Sequence, residues 1–233
     1  MIKITPPKRP TLHAEDIIIS SILDGTFPPG SSLPGERELA KQLGITRPPL
    51  REALQRLDRD GWITVHQGKP SVVNDIWKDG GLNILSSLVR FRQFFPSDFL
   101  TKLLEVRSVI APIYTCEAVK YHPNKIIQFF NQNILEDDTP ESFAHFDWKL
   151  HRILTVYSDN LIYPLLLNSF SSFYKDMAKL YFKNSENRST SLSYYEKLLN
   201  LAREKNYLEA EKVTRITMKK SIMLWKRIQK KEK

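Results

Sequence analysis

Two adjacent prolines open a segment with clear helical spacing: residues 46–62 read TRPPLREALQRLDRDGW. Proline lacks a backbone N–H and clashes with the turn before it, so it is excluded from helix interiors. In the first turn that objection disappears, because those N–H groups have no intrahelical acceptor. The segment therefore has to begin a helix here. Thr46 is the expected N-cap, its hydroxyl accepting from a free N–H of the first turn, with Arg47, Pro48 and Pro49 as the first helical residues. Leu50, Ala53, Leu54 and Leu57 then follow i, i+3, i+4, i+7 spacing and form one apolar face. Arg47, Arg51 and Gln55 share a different face near the start. A helix with a buried stripe and arginines at its exposed N-terminal end suits a nucleic-acid groove, although the spacing alone fits any surface helix.

The flanking residues narrow the choice. TLHAEDIIISSILD, residues 11–24, predicts a first helix, and GTFPPGSSLP after it is too rich in Gly and Pro to be helical. GERELAKQLG predicts a short second helix with Leu39, Ala40 and Leu43 inward, stopped by Gly44 just before the opening helix. Two helices joined by a tight glycine-containing turn, the second starting with arginines, make a helix-turn-helix. After Gly61, Ile63 and Val65 alternate, as do Ser71 and Val73, around a Gln67–Gly68–Lys69–Pro70 turn, which predicts a β-hairpin wing.

From residue 80 onward the pattern is helical only, with segments expected near 82–94, 97–121, 123–135, 140–157, 160–182, 189–204 and 207–230. Asn160, Pro123 and Pro140 sit at helix starts, and Pro112 should kink the helix that contains it. The fold class expected is mainly α: an N-terminal winged helix-turn-helix followed by an all-α helical bundle.

Charge and composition exclude several functions. The chain carries a formal net charge of +9, but residues 1–77 hold ten Lys/Arg against nine Asp/Glu, and residues 203–233 hold eleven against four. The excess thus lies far from the arginine-led helix, as a solvated basic face or as the seat of a phosphate-rich ligand. The near-neutral N-terminal region disfavours a sequence-indifferent DNA-packaging protein. An apolar fraction of 41% and 25 aromatic residues are enough for a real core. The single cysteine, Cys116, excludes an intramolecular disulfide and fits a reducing cytoplasm. MIKITPPKRP has no apolar signal core and LIYPLLL is too short to span a bilayer, so neither export nor membrane attachment is expected. An enzyme is not expected either. Cys116 has no activating pattern, no glycine-rich phosphate loop is present, and Ser, His and Asp are not grouped for catalysis.

The stretch PPGSSLPGERELAKQLGITRPPLREALQRLDRDGWITVHQGKPSVV resembles the GntR family of bacterial transcription regulators. Its PPG loop, LP-x-ERELA, TR-x-x-LREAL and hairpin ending in GKP carry the likeness. The later segments NDIWKDGGLNILSSLVRF, LLEVRSVIAPIY and DNLIYPLLLNSF resemble the FadR branch of that family, acyl-CoA-responsive regulators of fatty-acid metabolism. The resemblance implies a DNA-binding domain over 1–74, a linker over 75–83 and an all-helical effector and dimerisation-associated domain over 84–233. It implies a homodimer on a palindromic duplex, with recognition helices in the major groove and wings in the adjacent minor groove. Arg37, Thr46, Arg47, Arg51, Gln67, Gly68 and Lys69 fall at its DNA positions. Arg47 suits a bidentate pair with guanine, and the others suit phosphate. Pro48 and Pro49 stand where the family commonly has hydroxyl residues, and the wing tip reads His66–Gln67 where a histidine usually adjoins the glycine.

For the effector, the resemblance implies long-chain acyl-CoA, with Arg107, Tyr174, Tyr181, Met218, Ser221 and Trp225 at ligand positions and no cofactor. Leu166, Phe170, Phe173, Tyr174, Met177 and Tyr181 form one stripe. By periodicity this is ordinary core, and only the resemblance makes it the wall of an acyl tunnel. Met218 replaces a position where FadR-like proteins can have glycine. A sister branch binds metal through one Asp and three His, and Asp147 and His151 match the first pair. No histidine follows residue 151, so no metal is expected and His151 reads as packing or surface. A GntR-type regulator answering a different ligand, an organic acid or one bound with metal assistance, and a DNA-binding protein without an effector remain the alternatives.

Overall fold

In the computed structural model of the chain, residues 9–96 and 98–231 are described. The N-terminal stretch read above for a leader, up to residue 8, lies outside them, as does Ser97 at the expected start of the 97–121 helix. Two compact units are present, one ending at Phe95 and the other beginning at Pro96.

In the first unit α1 spans Pro10–Leu23, α2 Glu36–Gln42 and α3 Arg47–Asp60. The apolar stripe anticipated for α3 is its buried face: Leu50, Ala53, Leu54 and Leu57 pack with Ala14, Ile18, Ile19 and Ile22 of α1 and with Leu39 and Ala40 of α2. Buried Glu15 on α1 is met by Arg56 of α3 at 3.2 Å. Thr46 stands at the N-cap with extended backbone, but its hydroxyl makes no capping bond. The two prolines leave fewer first-turn N–H groups for it to accept from. Gly61 stops α3 in the left-handed region, with φ 91°.

The wing is shorter than alternation suggested. Strands β1 (Ile63–Thr64) and β2 (Val72–Val73) pair antiparallel with Ile63 opposite Val73. Val65 does not continue β1 inward; it is exposed, and its N–H, on the edge away from β2, donates to Asp58 Oδ1 at 2.8 Å. The Gly/Pro-rich loop joins the other edge of β2, through Gly30 N to Val73 O and Leu33 N to Ser71 O, both 2.8 Å. Beyond the wing, α4 (Leu82–Leu88) and a 3₁₀ segment (Val89–Phe94) follow, and Ile76, Ile84, Leu88 and Phe91 are buried. A Cβ on Gly80 would lie 2.3 Å from the Ile76 carbonyl oxygen, so only glycine permits that approach.

The second unit is a bundle of α5 (Phe99–Tyr121), α6 (Pro123–Gln132), α7 (Pro140–Val156), α8 (Ile162–Ser169), α9 (Ser171–Phe182), α10 (Ser185–Arg203) and α11 (Tyr207–Lys231). The expected prolines start α6 and α7, and Thr139 caps α7 by accepting from Ser142 N. Helix α5 runs through Pro112 without a break. Several boundaries differ from expectation: the 82–94 segment turns to 3₁₀ after Leu88, α6 ends at Gln132 instead of 135, and two further differences have a visible cause. The 160–182 segment divides at Phe170, where a tightened turn bonds Phe170 N to Leu167 O at 3.0 Å. Helix α10 begins four residues early because Asn184 caps it, accepting from Glu186 N. The core joins Tyr114, Ala118 and Val119 of α5, Phe143, Phe146, Leu150 and Leu154 of α7, Tyr194, Tyr195 and Leu198 of α10, and Met218 of α11.

Candidate functional site

Each unit contains one candidate site. In the first unit the exposed end of α3 and the wing tip carry the residues singled out from sequence. Arg37, Thr46, Arg47 and Arg51 are all exposed, as are Gln67, Gly68 and Lys69. Gly68 takes the left-handed conformation that turns the wing, with φ 72°. One further side chain links two of the arginines: Glu36, the first residue of α2, accepts from Arg51 Nε at 2.8 Å and from Arg47 Nη2 at 3.3 Å on the same carboxylate oxygen. These bonds, Arg51's first, hold the Glu36 carboxyl below the usual carboxylate range. ERELA was read above for its inward residues, for the family likeness and for Arg37, and Glu36 was missed.

In the second unit a cavity of about 110 Å³ opens between α5, α8, α9 and α11. Arg107, Tyr174, Tyr181, Met218, Ser221 and Trp225 all line it, although they come from three helices far apart in the chain. Of the predicted stripe, Phe170, Met177, Tyr174 and Tyr181 face the cavity, and Leu167 takes the place expected for Leu166 because the break at Phe170 shifts the helical phase. The side chain of Phe173 lies outside what the structure describes. Leu100, Leu103, Leu104 and Ile110 of α5 complete a mostly apolar wall. Met218 is 4% exposed, so its thioether occupies space between α11 and the cavity instead of reaching solvent.

A buried polar network closes one side. Asp147, almost fully buried, accepts from Arg107 Nη2 at 2.9 Å and from the Tyr195 hydroxyl at 2.8 Å, and also from the Tyr174 hydroxyl. Burial pushes its carboxyl up, but Arg107 and the hydrogen bonds outweigh that, so it stays ionised with a lowered pKa. Burial likewise opposes the charge on Arg107; Tyr174 and Asp147 more than restore it. Arg107 Nη2 also reaches His151 Nε2 at 2.5 Å. An arginine can only donate, so Nε2 accepts, Nδ1 carries the hydrogen, and it donates to the Tyr114 hydroxyl at 2.7 Å. His151 is therefore a neutral imidazole, its pKa lowered to about 3 by burial and then by Arg107. The reading of His151 as packing or surface resolves to packing, with 0% of its side chain exposed. Asp147 and His151 both turn to the Arg107 guanidinium, and among the described residues no group of three His, Cys, Asp or Glu side chains stands together as a metal set.

Among the described residues, donors at the cavity that lack a hydrogen-bond partner include the Tyr181 hydroxyl and two nitrogens. Trp225 Nε1 and Arg107 Nε are buried without a hydrogen bond, and such groups are costly unless a ligand or water satisfies them. Tyr181 is pushed up to about 12 by burial, an effect that Ser221 partly offsets. Sequence spacing contained a signal for one residue that was missed: Tyr114 lies seven residues after Arg107, two turns along the same face of α5. No helix of the described residues is long and apolar enough to cross a membrane.

Comparison with known proteins also divides the chain in two, but at 73/74, so that the segment from the end of the wing to Phe95 goes with the second family model and with the first compact unit. Residues 10–73 match the family model described as bacterial regulatory proteins, gntR family, and residues 74–232 match the FadR C-terminal domain. The chain is 40% identical over 219 residues to a fatty acid metabolism regulator protein of Shewanella baltica, covering 94% of this chain and 92% of that one. It is 41% identical over 220 residues to the protein of the same name from Yersinia enterocolitica, with the same coverage of both. Among solved structures, that of Lar, described as controlling the expression of the Listeria monocytogenes agr system, superposes with a TM-score of 0.60. It spans 96% of this chain and 99% of that one at 17% identity, a likeness of fold. With its N-terminal and C-terminal parts each matched, and relatives 40% identical along nearly their whole length, the chain belongs to the gntR family of bacterial regulatory proteins, in the branch that carries a FadR C-terminal domain.

Proposed function

We propose that this DNA-binding transcription regulator acts on fatty-acid metabolism and releases its operator when long-chain acyl-CoA enters the helical unit. The observation that carries the reading is the convergence of Arg107, Tyr174, Tyr181, Met218, Ser221 and Trp225 on one apolar-walled cavity. An acyl chain gains about 0.8 kcal/mol per buried CH₂ from such a wall. The thioester and pantetheine oxygens are acceptors, and they suit the unpartnered donors Trp225 Nε1 and Arg107 Nε. The basic last helix suits the CoA phosphates. On the DNA side, Arg47 reads guanine, while Arg37, Thr46, Arg51, Gln67, Gly68 and Lys69 hold backbone or minor groove. Two chains bind a palindrome, residues 75–83 link reading head to effector domain, and the protein works in the cytoplasm as a regulator with no resident cofactor or metal and no catalytic activity.

Native mass spectrometry of protein purified from cells, followed by addition of long-chain acyl-CoA, tests the effector. The expected result is a dimer carrying one acyl-CoA per chain, with mass gained on addition. A dimer that takes up acetate or divalent metal but no acyl-CoA would overturn the effector assignment.

A further inference from the structure

The reading face of α3 shows an arrangement that a phosphate-binding surface does not need. Arg47 and Arg51 are exposed, at 56% and 57%, yet both point to one oxygen of Glu36, itself 37% exposed. Exposed ion pairs of this kind contribute little to stability, so stability does not explain the convergence. The other carboxylates of the two helices are engaged elsewhere: Glu38 accepts from Gln42, Glu52 from Arg56 and Thr11, Asp58 from Val65 N and Asp60 from Arg59. Glu36 alone among these faces the arginines. Its bond to Arg51 uses Nε and leaves the two terminal nitrogens of that guanidinium open, side by side. Its bond to Arg47 uses one terminal nitrogen and leaves the rest of the fork open. A fork fixed at one corner is pre-organised for a planar, two-point acceptor such as the O6/N7 edge of guanine. Two cations sharing one anion also present about half the charge that they would present alone.

We propose that Glu36 is a positioning residue that sets DNA specificity, by holding the Arg47 fork in reading geometry, fixing where Arg51 can meet phosphate, and cancelling part of the attraction of both to phosphate. The proposal rests on the reading of α3 as the recognition helix. Affinity for any duplex grows with the number of phosphates that free cations neutralise, and it falls with salt by about 0.9 log unit per log unit of salt for each such phosphate. A free Arg51 would swing to phosphate and raise binding everywhere. Held by Glu36, it contributes only where a phosphate lies within its fixed reach, as on a duplex docked in register. The carboxylate thus favours discrimination over bulk affinity.

The test uses the full-length protein, a duplex selected by it from a random library, and a scrambled duplex of equal length. For Glu36→Gln, affinity for the scrambled duplex should rise about three- to tenfold, the ratio between the two duplexes should fall about tenfold, and the salt slope on the scrambled duplex should steepen by about 0.9. Glu36→Asp keeps the charge but shortens the reach, so its slope should stay as in wild type while the ratio still falls. Wild-type ratio and slope in both variants, with Arg47→Ala still losing discrimination, would overturn the role of Glu36 and leave the recognition helix intact. Equal weakening on both duplexes with a lowered melting temperature would reduce Glu36 to a structural contact and equally overturn it. If Arg47→Ala and Arg51→Ala also kept the ratio, α3 would not read bases and both readings would fall.

Discussion

His151 ties the stability of the helical unit to pH. Unfolded, its imidazole titrates near the ordinary value of 6.5; folded, its pKa is lowered to about 3, because burial and Arg107 exclude a second proton. Between those values the unfolded chain binds a proton that the native one does not, so stability falls as pH falls, by up to about 1.4 kcal/mol per pH unit. Asp147 acts lower. Its carboxyl is depressed in the folded state, and its contribution is present above the ordinary value of 3.8 and lost as pH falls through the folded value. Urea unfolding of the helical transition at pH 7, 6, 5 and 4 should show the decline setting in near 6.5. His151→Gln can accept from Arg107 and donate to Tyr114 without titrating, so it should flatten the slope between 6 and 4 by about 1 kcal/mol per unit. An unchanged slope in that variant would remove His151 as the cause. The network was only partly legible. The i, i+4 spacing of Asp147 and His151 stood out, but Arg107 lies forty residues away and Tyr195 forty-eight, and no local pattern reports such pairings.

Elements were legible where a local constraint acts alone. Pro48 and Pro49 permit helix only in one direction, and α3 starts where they demand. Pro123 and Pro140 did the same for α6 and α7. The break at Phe170 was not legible, because apolar spacing continues through it, and Leu167 before it and Phe170 itself both line the cavity. The short wing was missed for a different reason: the next hydrogen-bonded rung after Thr64–Val72 would pair His66 with Pro70, which has no N–H to give. These two elements should also fail differently on DNA. Arg47→Ala removes a base-reading fork from α3 and should cost about 1–3 kcal/mol of discrimination between selected and scrambled duplexes. Lys69→Ala removes one charge from the exposed wing tip. It should weaken both duplexes alike and flatten the salt slope by about 0.9. Fluorescence anisotropy at several salt concentrations measures both. Equal losses on the two duplexes for Arg47→Ala would deny α3 its reading role.

At the scale of the whole molecule, the effector can move the DNA equilibrium only as far as it prefers one conformation over the other. Acyl-CoA must therefore bind the released state more tightly than the DNA-bound one, and by linkage the operator must weaken acyl-CoA binding by the same factor. Met218 decides how much of that affinity the chain length can supply. Its side chain is buried beside the cavity, so a ligand long enough to reach it either packs against the thioether or has to displace it. Each methylene that finds apolar wall adds about 0.8 kcal/mol, and one that meets an immovable side chain adds nothing or costs. Calorimetric titration with acyl-CoAs of increasing length should show affinity rising by up to about fourfold per CH₂ and then stopping at the length where the chain meets Met218. Met218→Gly should extend that rise to longer chains if the thioether blocks the path. If the thioether merely lines the path, the substitution should leave the limit in place and lower affinity. Operator release measured on the same series must follow the same limit, because one binding event drives both. Wild-type protein that binds no acyl-CoA, or that binds it and keeps its hold on DNA, would leave the DNA-reading half standing and remove the effector.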